Sequence, residues 1–335
     1  MRNFLIILSI LAALGAAVFQ GCDVRRDAQD NLQSVAVFAD PEVYSSAIIP
    51  LKTALERVVD TPQPETWFSL EHPSWEEFND YTNYANIMLI GTLQGEGEVS
   101  MYVKESLDEG AEQGVQAGDL WIFRKQDPWY GEQLLTIIAA PNQAALREKI
   151  SEGSQELFLM MKNSALERVK KDLYAVMEEK ELAQDIREKY GFQIRIQHDY
   201  QLIREEPELN FIRLRRMYPD RWLTIYWAGA DTVTDSLMIA ERQRVGQYFA
   251  DPVKLHEDYL KFFSGERAYP GDIVMRGLWS TVAPIGGGPF FTYAYKVPNE
   301  DLVYFIDGSA FAPDREKLPL LMQLEVMAQT FQPPE

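Results

Sequence analysis

Three times along the chain a short apolar run meets a turn carrying proline and then an amphipathic stretch. These are Val35-Ala-Val-Phe38 with Pro41 and a helix through Val59, Leu134 to Ala140 with Pro141 and a helix to about Met161, and Leu302 to Ile306 with Pro313 and a helix to Phe331. Strand followed by helix is the natural expectation, with proline tolerated in the first helical turn. The recurrence predicts helices packed on sheets. It is too weak to count as a sequence repeat.

Between the first two units, Thr66 to Leu70, Ile87 to Leu93 and Asp119 to Arg124 are predicted strands, and Val99 to Gly110 a helix ending in glycine. From Asn142 to Tyr190 apolar residues recur three or four apart, which predicts two successive helices with a break near Asn163-Ser164. The C-terminal half opens on Phe192 to Ile196 and continues through Phe211 to Arg215 and Trp222 to Trp227, all alternating. This is the pattern of an antiparallel sheet with one wet face. A helix around Ser236 to Arg244 and strands near Val274 to Trp279 and Phe290 to Tyr295 follow. The expected class is α+β: two α/β-type layered halves, with mixed or antiparallel sheets and packed helices, joined by a long helical region. In residues this gives a signal segment 1–21, a tether 22–33, an N-terminal half 34–165, a connecting helix 166–190 and a C-terminal half 191–335.

The N-terminus changes the picture. Arg2 precedes an uncharged apolar stretch from Phe4 to Phe19, of about 16 residues, and small Gly21 stands before Cys22, the only cysteine. That length falls short of the roughly 20 residues of a permanent span and has the shape of a signal peptide. Phe19-Gln20-Gly21-Cys22 resembles the lipobox of bacterial lipoproteins, in which the cysteine is acylated and becomes the first residue after cleavage. Cys22 is thus the predicted lipidation site and the membrane a partner through that lipid, facing the periplasm or the surface. The adjoining Asp23 does not decide between inner and outer membrane, because sorting rules differ between phyla.

Charge narrows the partners. With 32 Lys+Arg against 51 Asp+Glu the formal net charge is -19, which excludes nucleic acid as an expected partner. A lone cysteine and three histidines leave neither a disulfide nor a zinc cage to assemble, so no metal or cofactor is expected. No G-x-S-x-G elbow occurs; Asp307-Gly308-Ser309-Ala310-Phe311 reads as a strand-to-helix turn. His256-Glu257-Asp258-Tyr259-Leu260 begins like a zincin helix but has leucine where a second histidine must stand. His72 and His198 read as surface or loop residues. Gly286-Gly287-Gly288-Pro289 lacks the following lysine of a phosphate loop and reads as a mobile or tightly turned connection. No catalytic residue is assigned.

The remaining group is positive charge in an acidic chain: Arg213, Arg215, Arg216, Arg221 and Arg276, close to Trp222, Trp227 and Trp279. Arginine forks beside indoles suit a carboxylate or phosphate on a glycan or lipid, which makes Arg213, Arg215, Trp222, Arg276 and Trp279 the candidate ligand-binding residues. The competing expectation is that these arginines pair with Glu205, Glu206, Glu208 and Asp220.

Met275-Arg276-Gly277-Leu278-Trp279, then Gly286-Gly287-Gly288-Pro289-Phe290, then Phe311-Ala312-Pro313 with Lys317, Leu324 and Glu325, resemble a family of uncharacterised lipoproteins, domain of unknown function 4837, found mainly in Bacteroidetes. Pro64-Glu65 before Phe68, Asn86-Ile87 and Tyr190-Gly191-Phe192 also fit, so the resemblance extends over nearly all of the chain after the signal. The third glycine at 286–288 and Ala283-Pro284-Ile285 depart from the family pattern. The resemblance implies an envelope location and brings no established activity. The expected function is a lipid-anchored, non-catalytic module that binds an envelope protein or glycan. The alternatives are an envelope glycan hydrolase with carboxylate catalysts and a transporter-associated solute-binding lipoprotein.

Overall fold

The computed structural model describes residues 28, 31–264, 273–281 and 286–334. The signal segment, Cys22, most of the tether and Ala283-Pro284-Ile285 lie outside them.

In the N-terminal half, β1 (Ser34–Ala39) is followed by α1 (Pro41–Leu55), a two-stranded ribbon of β2 (Val58–Val59) and β3 (Glu65–Thr66), and β4 (Ser69–Glu71). Next come β5 (Asn86–Thr92), α2 (Glu98–Glu105), α3 (Glu109–Ala117), β6 (Ile122–Gln126) and β7 (Leu134–Ala140). The sheet order is β4-β1-β5-β7-β6, parallel except for the antiparallel edge strand β6. Strands β1, β5 and β7 are buried on both faces, which is why they appear in the sequence as near-continuous apolar runs. Val35, Val37, Met88 and Ile138 face the long helices, whereas Phe38, Leu89 and Leu135 face α2, α3 and a 3-10 turn at Trp75–Tyr81.

The helical region consists of α4 (Gln143–Glu152), α5 (Ser154–Ala175) and α6 (Lys180–Tyr190). The expected break at Asn163-Ser164 is absent, because Arg168 reaches back to Ser164 and onward to Asn86 Oδ1 at 2.6 Å, tying the middle of α5 to β5. The chain breaks at Gly153 instead, where a Cβ would lie 2.3 Å from the Trp121 ring. The glycine stop also moves: Asp108 caps α3 by accepting from Ala111 N, and the left-handed Gly118 ends it, so Gly110 lies inside a helix.

The C-terminal half contains β8 (Gln201–Glu206), β9 (Phe211–Arg216), β10 (Asp220–Ala228), α7 (Asp235–Gly246), β11 (Val253–Leu255), β12 (Lys261–Ser264), β13 (Ile273–Thr281), β14 (Gly286–Lys296), β15 (Val303–Phe311) and α8 (Leu318–Ala328). Its antiparallel sheet runs β11-β13-β14-β15-β10-β9-β8, with β12 also on β13. One face meets α8. The other is not simply wet, since α7 covers part of it, packing Met238 and Val245 over Phe211, Tyr226 and Phe305. Phe192 to Ile196 is no ladder strand: Phe192, Ile194 and Ile196 are buried, but only Gln193 bridges, to Gln332. Asp307-Gly308-Ser309 lies inside β15 and not in a turn. The 286–288 glycines open β14 as paired strand: a Cβ on Gly288 would sit 2.0 Å from Ala310 O, so only glycine lets the strands approach there.

The two halves share one apolar core, running from Val35 through α5 to α8 and Phe331. A polar latch crosses the same boundary: the Glu65 carboxylate accepts from Lys317 N at 2.9 and 3.0 Å and from Leu318 N at 2.7 Å, filling the N-terminal cap of α8. Glu65→Ala is expected to cost about 1–2 kcal/mol, the loss of a helix cap and its dipole interaction. Urea unfolding monitored by circular dichroism measures it, and an unchanged midpoint would show that the cap is idle.

Candidate functional site

Two places in this architecture are where a ligand would be sought. The first is the end of the N-terminal sheet at which the strand order reverses between β1 and β5, the usual crevice of a doubly wound sheet. Here the protein fills its own slot. Asp40, directly after β1, accepts from Val99 N at 3.0 Å and Ser100 N at 2.9 Å, taking the helix N-terminus that would otherwise hold an anion. His72 stacks flat on Tyr44 at 3.5 Å, with its Nε2 3.3 Å from Ala39 O, and walls the same end.

The second is the part of the C-terminal sheet that α7 leaves open. Period-two alternation puts Arg213 and Arg215 of β9 and Trp222 of β10 on the same face. The register pairs Trp222 with Arg215, and Arg213 with Thr224. From β13, Trp279 comes across the sheet to Trp222, ring centroids 5.7 Å apart and planes at 88°. These four residues, with Arg204, Asp220 and Phe311, line a cleft of about 400 Å³. Four of the five sequence candidates are thereby brought together.

Their electrostatics differ. Arg215 is held by Asp220, Nη2 to Oδ1 at 2.8 Å and Nε to Oδ1 at 3.0 Å. Arg204 pairs with Glu206 at 3.0 Å. Arg213 is only 9% exposed, yet among the described residues no carboxylate lies within ion-pair distance and its Nε has no acceptor. Its guanidinium lies over the Phe249 ring at 3.4 Å and beside Trp222 at 5.2 Å. Burial pushes it down to about 9, which leaves it protonated at neutral pH. The buried Trp279 Nε1 likewise has no acceptor.

Beneath Arg213 a polar row crosses the sheet in register: Thr224, Asp307 and Thr292. Asp307 is taken by Arg242 of α7 at 2.6 Å and by the Thr292 hydroxyl at 2.8 Å. Asp307 is therefore bonded to Arg242 and acts on Arg213, the second buried guanidinium of this face, only by longer-range attraction. Sequence reading missed Asp307 and Arg242, one because it was placed in a turn and the other because a helix and a strand meet only in the fold.

Arg276 lies apart. Met275 and Trp279 face α7, so Arg276, at the intervening parity, points to the α8 side, where its Nη1 is 2.8 Å from Glu325 Oε1. Of the expected acidic partners only Asp220 takes a strand arginine of this group; Arg216 meets Asp199 at 3.5 Å and Arg221 bonds Gln323. His256 bonds Ser280 Oγ at 2.9 Å, and among the described residues no group of three His, Cys, Asp or Glu side chains could hold a metal ion.

No protein of curated function matches the chain. Solved structures similar over part of it include a point mutant of protein Mog1, at 8% identity over 43% of this chain and 92% of that one, TM-score 0.31. Another is the Saccharomyces cerevisiae Ran-binding protein MOG1p, at 8% identity over 42% and 89%, TM-score 0.31. Likeness at this level carries no functional argument. Two family models divide the chain: residues 28–174 match a Domain of unknown function (DUF8532), which takes in Pro64-Glu65, Asn86-Ile87 and nearly all of α5. The arginine-glycine-leucine-tryptophan resemblance is thus narrower than nearly the whole chain, and residues 179–330, with the entire cleft, match the Domain of unknown function (DUF4837).

Proposed function

We propose that the protein is a lipid-anchored, non-catalytic binding module of the bacterial cell envelope that holds an acidic glycan in the Arg213 cleft. The observation that carries the reading is the buried guanidinium of Arg213, which among the described residues has no carboxylate within ion-pair distance and feels Asp307 and Asp251 only from further away. A buried cation without a partner costs several kcal/mol, and an anionic ligand offsets that cost. Trp222, Trp279 and Phe311 supply flat apolar walls against which a sugar ring packs. Arg204 and Arg215 already have carboxylates, and Asp251 also lines the cleft, so a ligand with a single negative charge is favoured over a phosphate dianion. The volume suits one or two sugar residues. The Cys22 motif supplies the anchor. A binding protein closing two lobes on a hinge would have to open the shared core, which argues against the transporter-associated alternative.

Titration calorimetry with glucuronic acid oligosaccharides tests the reading. Binding is expected for the acidic sugar and not for its neutral glucose counterpart. Arg213→Gln is expected to weaken it about tenfold or more, the loss of a charge-assisted hydrogen bond. Equal affinity of the variant, or no binding by the native protein, defeats the proposal.

A further inference from the structure

The described chain begins against a particular edge of the N-terminal half: Ala28 N donates to Gly131 O at 3.0 Å, in the connection between β6 and β7. Five residues lie between Cys22 and Ala28, which makes six Cα-to-Cα steps. Fully extended, such a segment spans about 20 Å. A lipid on Cys22 therefore keeps the Gly131 connection within that distance of the headgroups.

The same edge has the chemistry of a membrane-facing surface. Arg124 and Lys125 on β6 are exposed, and their side chains have no ion pair or hydrogen bond among the described residues. Of the nearby acids, Glu132 pairs with Lys171, Glu167 with Lys170, and Asp127 accepts from Gln133 N at 3.1 Å, while Glu156 stands exposed on the α5 side of Arg124. Trp129 and Tyr130 occupy the connection itself, half-buried, with Trp129 edge-on to Phe78 at 5.6 Å. Aromatic rings with polar tips and unpaired cations are the side chains that settle at headgroup depth on an anionic bilayer. In a chain of net charge -19 most other faces are repelled by such a surface, so the cationic edge also sets orientation.

From this we infer that the β6–β7 edge, with Arg124, Lys125 and Tyr130, rests on the anionic surface of the bilayer that carries the Cys22 lipid. The inference depends on the anchor in the proposed function, not on the cleft. Strands β5 and β7 run in register from Asn86 and Leu134 to Thr92 and Ala140, so Glu96, exposed beyond Thr92, lies at the opposite end of the sheet, about 20 Å away.

The test uses the full-length acylated protein, carrying Tyr130→Cys or Glu96→Cys with a fluorophore, in phosphatidylcholine vesicles containing phosphatidylglycerol and a headgroup nitroxide lipid. Acylation blocks the Cys22 thiol, so the label goes to the introduced cysteine. Quenching at 130 is expected to exceed that at 96 several-fold, with the contrast shrinking in pure phosphatidylcholine and in an Arg124→Glu/Lys125→Glu background. Equal quenching at the two sites overturns the proposal, as does a contrast indifferent to both charge changes. Mass spectrometry of the N-terminal peptide reads the anchor separately: an unacylated Cys22 defeats the lipid reading itself and the proposal with it.

Discussion

Glu325→Ala is expected to remove about 3–5 kcal/mol of stability, a large part of what a protein of this kind has to lose. Glu325 of α8 is fully buried and accepts from three groups at once: Lys162 Nζ of α5 at 3.2 Å, Arg276 Nη1 of β13 at 2.8 Å and the Tyr293 hydroxyl at 3.0 Å. Lys162 is itself 1% exposed and lies over the Trp67 ring at 4.8 Å. Removing the carboxylate leaves two cations without it in the shared core, and an uncompensated buried charge is far more costly than a missing pair is valuable. The triple change Lys162→Met, Arg276→Met, Glu325→Leu is expected to recover most of the loss, because apolar residues of similar volume do not need partners there. Urea unfolding of the single and triple variants measures both effects. If Glu325→Ala cost less than about 1 kcal/mol, the network would be ornamental.

This network also explains why one sequence candidate lies outside the cleft. Arg276 and Trp279 are three residues apart on an uninterrupted strand, so they point to opposite faces, and parity alone separates them once β13 is known to be continuous. The same parity made Arg213, Arg215 and Trp222 legible as neighbours, since β9 and β10 alternate cleanly. What stayed hidden depended on contacts distant in sequence. β8 is half charge, Gln201 to Glu206, and looks like a loop until it is seen to be an edge strand, where charges blunt unwanted pairing. Phe192 to Ile196 alternates like a strand but buries its apolar residues without a ladder. Ser164 reads as a helix break because the sequence does not show Arg168 reaching Asn86 behind it. The parallel core strands were the most legible elements, because burial on both faces leaves near-continuous apolar runs.

Arg213→Met is expected to do two opposite things: abolish binding of the acidic sugar and raise stability by about 1–2 kcal/mol. Desolvation is the larger cause that lowers the Arg213 guanidinium to about 9, with Arg242 and Arg215 adding repulsion against the attraction of Asp307 and Asp251. A cationic group whose folded value lies below its unfolded one costs stability wherever it must remain protonated. Between about 9 and the ordinary guanidinium value well above it, the unfolded chain holds more protons at this site than the folded one. Its contribution to stability therefore rises with pH through that window, and below about 9 the cost is present in full. Methionine removes the cost while retaining much of the contact with Phe249 and Trp222, and the lost cation–π attraction offsets part of the gain. The measurement is the difference in unfolding free energy between native protein and variant: a gain for the variant at pH 7 that narrows by pH 10. Arg215→Met, which strands Asp220, is expected to show no such gain. A residue that lowers the stability of its own fold is explained by what it binds, so a destabilised Arg213→Met with intact sugar binding would return Arg213 to the core and leave the cleft without its anion-binding group.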